Sequence, residues 1–294
     1  MQKPYHIPVL VEEVITWLKP VPGGLYVDVT FGGGGHTEAI LRAEPTCRVI
    51  ACDWDEQALT LNRGRLEELF PGRITFIWTN FNRLYHHLKQ QKIQKVNGIL
   101  ADFGTSQYQI KEREGFSFSS ETPLDMRMSP AHQHTTAAMM VNHATPEELL
   151  HILWTYGEER SARQIVQAIV EARKIRPITT TVALAEIIAK VVPRGPSRIH
   201  SATRTFQALR IVVNKELDNI KALLQQAPDL LVPGGRIVCI TFHSLEDRIV
   251  KQMFTDDKAR LTVLTKRVIT GSDEELKINP SARSAKLRAA ERRT

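Results

Sequence analysis

Three aspartates stand where strands of an alternating α/β chain would present them to a ligand. Asp28 closes the apolar run Leu25-Tyr-Val-Asp28 and opens Asp28-Val-Thr-Phe-Gly-Gly-Gly-Gly35, so that Gly32 and Gly34 follow it in an acidic-x-x-x-Gly-x-Gly pattern. Glycines at such a place let the backbone adopt dihedrals closed to other residues and approach a ligand closely. Asp53 ends Arg48-Val-Ile-Ala-Cys-Asp53, about 20 residues past the glycines, where a carboxylate accepts hydrogen bonds from ribose hydroxyls. Asp102 ends Gly98-Ile-Leu-Ala-Asp102 in the same way. The chemistry this implies is the holding of a cofactor that carries a nucleoside. Thr37 stands where a dinucleotide fingerprint has its third glycine, so a nicotinamide-dependent oxidoreductase stays open as an alternative. Asp28 would repel a pyrophosphate and attract a cationic amino group, which favours S-adenosylmethionine. Asp53 could instead cap a helix.

Positioning these residues requires parallel strands with helices between them. The strands Leu25–Thr30, Arg48–Asp53, Ile74–Trp78 and Gly98–Asp102 are separated by helical patterns at Glu38–Ala43 and Gln57–Leu69. Strands apolar throughout predict a sheet covered on both faces, the first half of a doubly wound α/β fold. From about Gly115 to Ser201 the pattern changes to loop and helices, with no convincing strand. Thr145-Pro-Glu-Glu148 reads as a capping box with proline at the first helical position. Further helices are expected from Ala162, ending at Pro177, and from Val182 to Val192. The α/β signature then returns: Phe206, Leu209, Val213, Leu217, Ile220 and Leu224 predict one long amphipathic helix. Val232-Pro-Gly-Gly235 predicts a turn into the strand Arg236–Phe242, with further strands at Leu261–Val268 and Lys286–Ala290. The expected organisation is a core of residues 1–112 and 202–294 interrupted by a helical domain at 113–201.

The chain has 294 residues, 42% of them hydrophobic, enough for a sizeable core. A net charge of +7 favours an acidic partner such as nucleic acid. Cys47, Cys52 and Cys239 form no C-x-x-C pair, so neither a metal site nor a disulfide framework is expected. No apolar stretch is long enough to span a bilayer, and the start resembles neither a signal nor a transit peptide; a cytoplasmic protein without a membrane partner is the expectation.

Several blocks together are more specific than the glycine loop. Asp28-Val-Thr-Phe-Gly-Gly-Gly-Gly-His-Thr37 resembles the first motif of the bacterial small-subunit ribosomal RNA (cytosine-N4) methyltransferases of the MraW type. So do Gly115-Phe-Ser-Phe with Pro123-Leu-Asp-Met-Arg-Met128, and Tyr156-Gly-Glu-Glu-Arg160. The same holds for Ala202-Thr-Arg-Thr-Phe-Gln-Ala-Leu-Arg-Ile211 with Val213-Asn214, for Phe242-His-Ser-Leu-Glu-Asp-Arg-Ile-Val250, and for Asn279-Pro-Ser-Ala-Arg-Ser-Ala-Lys-Leu-Arg288. These run in order across nearly the whole chain. The resemblance implies a Rossmann-like class I methyltransferase sheet with an inserted helical domain. It implies S-adenosylmethionine held by Gly34, Gly35, His36, Asp53, Phe81, Asp102 and Gln109, and methylation of a cytosine amine in small-subunit (16S) ribosomal RNA.

Phe81 can pack against adenine or simply belong to the core. His36 is expected to orient the glycine loop or the methionine carboxylate. Asp102 is the candidate catalytic group, holding a hydrogen of the acceptor amine, although a role toward the cofactor alone explains it equally. The sequence departs from the family where Gln107 replaces a serine and Lys111 an acid, which leaves acceptor positioning less secure. Arg204, Arg210, Arg283, Lys286 and Arg288 are candidate RNA contacts; the C-terminal ones could equally form a solvated basic tail. Arg127 is expected to pair with Asp125, and His243 to anchor a loop. A ribosome-assembly factor that binds RNA without catalysis is the remaining alternative.

Overall fold

The computed structural model describes residues 7–104, 114–192 and 200–294. The chain divides into two compact units, one formed by residues 1–104 and 217–294 and the other by 105–216.

The first unit holds a seven-stranded sheet. Its strands are β1 (Leu25–Asp28), β2 (Arg48–Asp53), β3 (Ile74–Trp78), β4 (Val96–Asp102), β5 (Leu231–Thr241), β6 (Leu261–Val263) and β7 (Lys286–Arg292). They lie in the order β3-β2-β1-β4-β5-β7-β6. All neighbours pair in parallel except β7, which is antiparallel to both β5 and β6. This is the class I methyltransferase form of the doubly wound fold, with the strand order reversing beside β1, the switch point at which open sheets bind ligands. Alternate residues of β2 supply opposite faces: Ile50 and Cys52 enter one apolar cluster, Val49 and Ala51 the other. The first cluster is closed by α4 (Leu84–Gln90), α10 (Glu216–Leu230) and α11 (Ser244–Asp256), through Leu84, Leu88, Leu223, Leu224, Val250 and Phe254. The second is closed by α1 (Val11–Leu18), α2 (Gly35–Ala43) and α3 (Glu56–Leu69). Both faces are dry, which is why the strands read as continuous apolar runs. The three cysteines are buried and free, and burial raises their thiols above the ordinary range, as expected of inert core residues.

The turn predicted at Val232–Gly235 lies inside β5 rather than before it. Val96 pairs with Leu231 and Gly98 with Arg236, so four residues of β5 face the single Asn97 in a wide bulge. Gly234 turns it at a φ of 76°. The strand expected over Leu261–Val268 shortens to Leu261–Val263. A short helix, α12 (Asp273–Ile278), precedes β7.

The second unit is helical: α5 (Ala137–His143), α6 (Pro146–Gly157), α7 (Ala162–Ile175), α8 (Thr181–Val191) and α9 (Thr203–Asn214). Among the described residues it holds no strand, only a bridge between Pro123 and Thr180. The capping box at Thr145 is formed, with the Thr145 side chain and Glu148 each bonding the other's backbone. The long helix expected across 206–224 is two helices. Lys215 adopts a left-handed φ of 51° and ends α9 before α10 begins. The apolar spacing runs on through the break, so periodicity alone cannot reveal it. Phe206, Leu209 and Val213 belong to the core of the helical unit. Residues 202–216, expected above in the sheet domain, therefore group with the helical unit.

The motif Pro123–Met128 is held from within this unit. Arg127 grips Asp125 through Nε and a terminal nitrogen, each at 2.7 Å, as expected. Asn214, fully buried, accepts from the Met128 N–H and from Gln133 Nε2, both at 2.9 Å, and donates to the Met126 carbonyl at 2.8 Å. No described helix is long and apolar enough to cross a membrane.

Asn214→Ala would strand several of those groups. At about 1–3 kcal/mol for each buried unpaired group, it is expected to cost more than Thr145→Ala, which removes one cap worth about 1 kcal/mol. Urea unfolding of both variants checks the order.

Candidate functional site

The carboxyl ends of β2, β1 and β4 lie side by side, and one loop ties them together. Asp28 is 1% exposed, accepts from the Thr30 N–H at 3.2 Å and from the Thr37 hydroxyl at 2.7 Å, and so closes the turn from β1 into α2. Thr30 Oγ1 accepts from the Asp102 N–H at 2.6 Å. On the other side the Gly32 N–H donates to Asp53 Oδ2 at 2.7 Å. Asp28 is therefore a brace of the loop, not a group offered to a ligand.

Gly32 has a φ of 50°, and a Cβ there would meet nothing closer than the Thr30 carbonyl at 3.8 Å. This is the glycine that faces open space. At Gly34 a Cβ would strike Leu66 at 2.6 Å and the Phe31 ring at 2.8 Å, and at Gly35 it would strike Pro8 at 2.7 Å. Their smallness lets α2 seat against its neighbours. The first turn of α2 has no side-chain cap, which leaves its amides and its positive end to a ligand.

Asp53 does not cap α3; Asp55 does, through the Gln57 N–H. Asp53 accepts from the Asp55 N–H at 2.8 Å as well as from Gly32, which fixes its carboxyl at the strand end with lone pairs to spare. Phe81 begins a short 3-10 turn after β3, half-buried against Phe103 at a ring separation of 5.7 Å, with part of its surface free. Asp102 keeps 18% exposure, and its buried Oδ1 has no hydrogen-bond partner among the described residues. His36 is buried beside it: Nε2 lies 2.8 Å from the Val9 carbonyl and Nδ1 3.8 Å from Asp102 Oδ2. Gln109, Gln107 and Lys111 lie outside the described residues.

Burial disfavours charge on all these groups. It pushes Asp28 up to about 6 against the hydrogen bonds of Thr37 and Thr30, and Asp53 up to about 7 with the charges of Asp55 and Asp28 adding to it. Asp102 is raised well above the carboxylate range by burial and then by the charges of Asp28 and Glu246. Burial lowers His36. Acids gather here, and among the described residues no lysine or arginine is one of the groups shifting Asp28, Asp53 or Asp102.

His243 caps α11, with Glu246 bonding back to the Phe242 and His243 N–H groups at 2.8 and 3.3 Å. This is the expected anchoring role. The basic candidates separate. Arg204 and Arg283 are exposed and Lys286 is half-buried. Arg210 is instead clamped by Glu216 at 2.8 and 3.0 Å, and Arg288 by Asp247 at 2.7 and 3.1 Å. Those carboxylates satisfy the two guanidinium forks internally. Nor is the C-terminal run a tail: residues 286–292 form β7, inside the sheet. The sequence gives Glu275 no mark, and Asn279 only a place at the head of a matching block, with no role. They secure the segment before α1, with Glu275 Oε1 accepting from the Leu10 N–H at 2.7 Å and Asn279 Nδ2 donating to the Ile7 carbonyl at 3.0 Å.

Residues 3–293 match the sequence model of the MraW methylase family. A ribosomal RNA small subunit methyltransferase H of Heliobacterium mobile is 44% identical, over 98% of this chain and 99% of that one. Its counterpart from Sulfurihydrogenibium sp. is 46% identical over the same shares. A solved rRNA methylase from Streptococcus thermophilus aligns at a TM-score of 0.47 with 12% identity, over 100% of this chain and 99% of that one.

An acid raised by folding binds its proton more tightly in the folded than in the unfolded chain. Stability attributable to Asp28 is then present at low pH and lost as pH rises from about 4 to about 6. Asp28→Asn removes that dependence. Urea unfolding at pH 5 and pH 8 should therefore show the variant gaining on wild type at the higher pH.

Proposed function

The chain belongs to the MraW methylase family, and from that premise we propose that it transfers the methyl group of S-adenosylmethionine to N4 of a cytosine in small-subunit ribosomal RNA. The observation that carries the reading is the grouping at the ends of β1, β2 and β4: Asp53 on one side, Asp102 Oδ1 without a hydrogen-bond partner among the described residues on the other, and Gly32 with no close neighbour between them. Such a grouping suits a cofactor with ribose hydroxyls beside Asp53 and its reacting group toward Asp102. Acidic groups unmatched by a cation favour a positively charged ligand.

S-adenosylmethionine, when bound, supplies a methyl group activated by a sulfonium. The residues do the rest. Asp53 accepts from the ribose, and Phe81 packs against the adenine with its free surface. The uncapped amides at the start of α2, at Gly35 and His36, receive the methionine carboxylate. Gly34 lets that turn form, and Gln109 is proposed as a further contact. Asp102 Oδ1 accepts a hydrogen of the N4 amine and aims its lone pair at the methyl group. No strong base is needed, since the amine loses its proton readily once methylated. Orientation of this kind is worth up to roughly 7–11 kcal/mol.

The target base must leave its stack to reach this depth. Structured RNA is recognised through shape and backbone, and Arg204, Arg283 and Lys286 are the candidate phosphate contacts. Arg210 and Arg288 are assigned to their internal ion pairs. The assembled or nearly assembled small subunit is the proposed substrate, in the cytoplasm.

Unmethylated small subunits and free 16S RNA, incubated with labelled S-adenosylmethionine, should yield N4-methylcytidine on nucleoside digestion, with subunits the better substrate. No incorporation into either by wild type would favour an RNA-binding assembly factor instead. Cofactor binding should also release protons near pH 7, because ribose hydroxyls stabilise the ionised form of Asp53, raised to about 7 in the free protein. Calorimetry in buffers of different ionisation enthalpy measures that release, which should fade by pH 9.

A further inference from the structure

The two ring nitrogens of His36 face partners of fixed character. Nε2 lies 2.8 Å from the Val9 carbonyl oxygen, which can only accept, so Nε2 carries the hydrogen. In a neutral ring Nδ1 then presents a lone pair toward Asp102 Oδ2, 3.8 Å away. Val9 cannot easily turn to reverse this choice. The Ile7 and Pro8 carbonyls on one side accept from Asn279 Nδ2, at 3.0 and 3.5 Å. On the other side the Leu10 N–H donates to Glu275 at 2.7 Å. Pro8 also packs where a Cβ of Gly35 would stand. The segment 7–10 thus dictates which nitrogen of His36 is protonated.

A lone pair facing a carboxylate is repulsive unless a proton lies between them. Among the described residues, the other charged groups that act on Asp102 are Asp28, at the end of β1, and Glu246, on α11; Glu275 acts on His36. All are acids and oppose a negative charge on Asp102. Burial acts in the same direction on both partners, raising Asp102 and lowering His36. Both directions favour a proton on Asp102, and the oxygen on the side of Nδ1 is Oδ2, 3.8 Å away. Contacts of this kind are commonly long before substrate arrives and tighten in the complex. The remaining oxygen, Oδ1, is buried and has no hydrogen-bond partner among the described residues.

We propose that His36 is a positioning residue that makes Asp102 offer the acceptor amine the carbonyl oxygen of a neutral acid, not a carboxylate. The proposal rests on the methyltransferase reading above and deepens it. A neutral acid held this way has the hydrogen-bonding pattern of a side-chain amide, with a carbonyl toward the substrate and a donor toward His36. It can orient the amine without drawing the cationic methyl donor out of line into an ion pair. Glu275 and Asn279 are remote members of the same device, acting through residues 7–10.

Asparagine reproduces that pattern and alanine does not. Single-turnover kinetics at saturating S-adenosylmethionine should place Asp102→Asn within about tenfold of wild type, and Asp102→Ala at least a hundredfold below it, with calorimetry confirming that both bind the cofactor. Equal loss in the two variants, with cofactor binding kept, would mean that the carboxylate is needed and would overturn the proposal. Imidazole nitrogen NMR of the ligand-free protein is the second readout. His36 should remain a neutral Nε2–H tautomer from pH 6 to 8 in wild type, and lose that single tautomer in Asn279→Ala. An imidazolium or an Nδ1–H tautomer in wild type would also overturn it. If wild type methylates nothing, the functional reading fails, while the NMR result still decides the state of His36.

Discussion

The carboxylate of Asp28 is the tie on which the site depends. It gathers the Thr30 N–H and the Thr37 hydroxyl, bending the chain from β1 into α2 within the length of the glycine loop. From that bend Thr30 reaches across to the backbone of Asp102, and Gly32 reaches the other way to Asp53. The ends of three adjacent strands are thereby locked to one turn. Parallel strands alone would fix spacing and direction but not the rotation of each terminal carboxyl. Asp28 supplies that missing constraint while remaining out of reach of any ligand.

Much of the sheet was legible because both faces are dry. Runs such as Arg48–Asp53 have no polar face to confuse with a helix, and the glycine cluster at 32–35 singles out the end of the first strand. What stayed hidden had no local signature. The left-handed turn at Lys215 interrupts no apolar spacing, so two helices read as one and the edge of the insertion was displaced with them. Asp53 and Asp102 were placed by position in the strand, which is local. The partners of Arg210 and Arg288 are set by the fold: Asp247 lies 41 residues from Arg288. The bond between Leu10 and Glu275 spans 265 residues and leaves no trace in either segment alone. Gly34 and Gly35 stand in the glycine loop that the sequence marks, and in the structure the room they leave is taken by Leu66, Phe31 and Pro8. A glycine run signals close approach without saying whether a ligand or a neighbouring helix does the approaching.

The conserved-looking blocks of the helical unit acquire a plain physical meaning. Met126 adopts a φ of 64°, costly for a side chain of its size. Its carbonyl and the N–H of Met128 are both taken by Asn214 at the end of α9, while Asp125 and Arg127 close on each other. The motif at 123–128 and the pair Val213-Asn214 are thus two halves of one hydrogen-bonded structure. Asparagine is suited to it because it both donates and accepts from one short side chain. A resemblance spread over many blocks need not mean a site spread over many blocks; here some of the matching residues hold the backbone of the insertion in an unusual shape.

Among the described residues, the charges at these strand ends are left unbalanced. Burial raises Asp28 to about 6, and burial with the charges of Asp55 and Asp28 raises Asp53 to about 7, while no described lysine or arginine acts on either. A designer seeking stability alone would place a cation there, since each buried acid held against its preference weakens the fold at neutral pH. Such a cation would also occupy the electrostatic minimum that a sulfonium needs and would repel it on approach. The cost to stability and the affinity for a positively charged donor are consequently the same property, measured with and without ligand. Burial of the two continuous apolar clusters on the faces of the sheet acts in the opposite direction and offsets that cost.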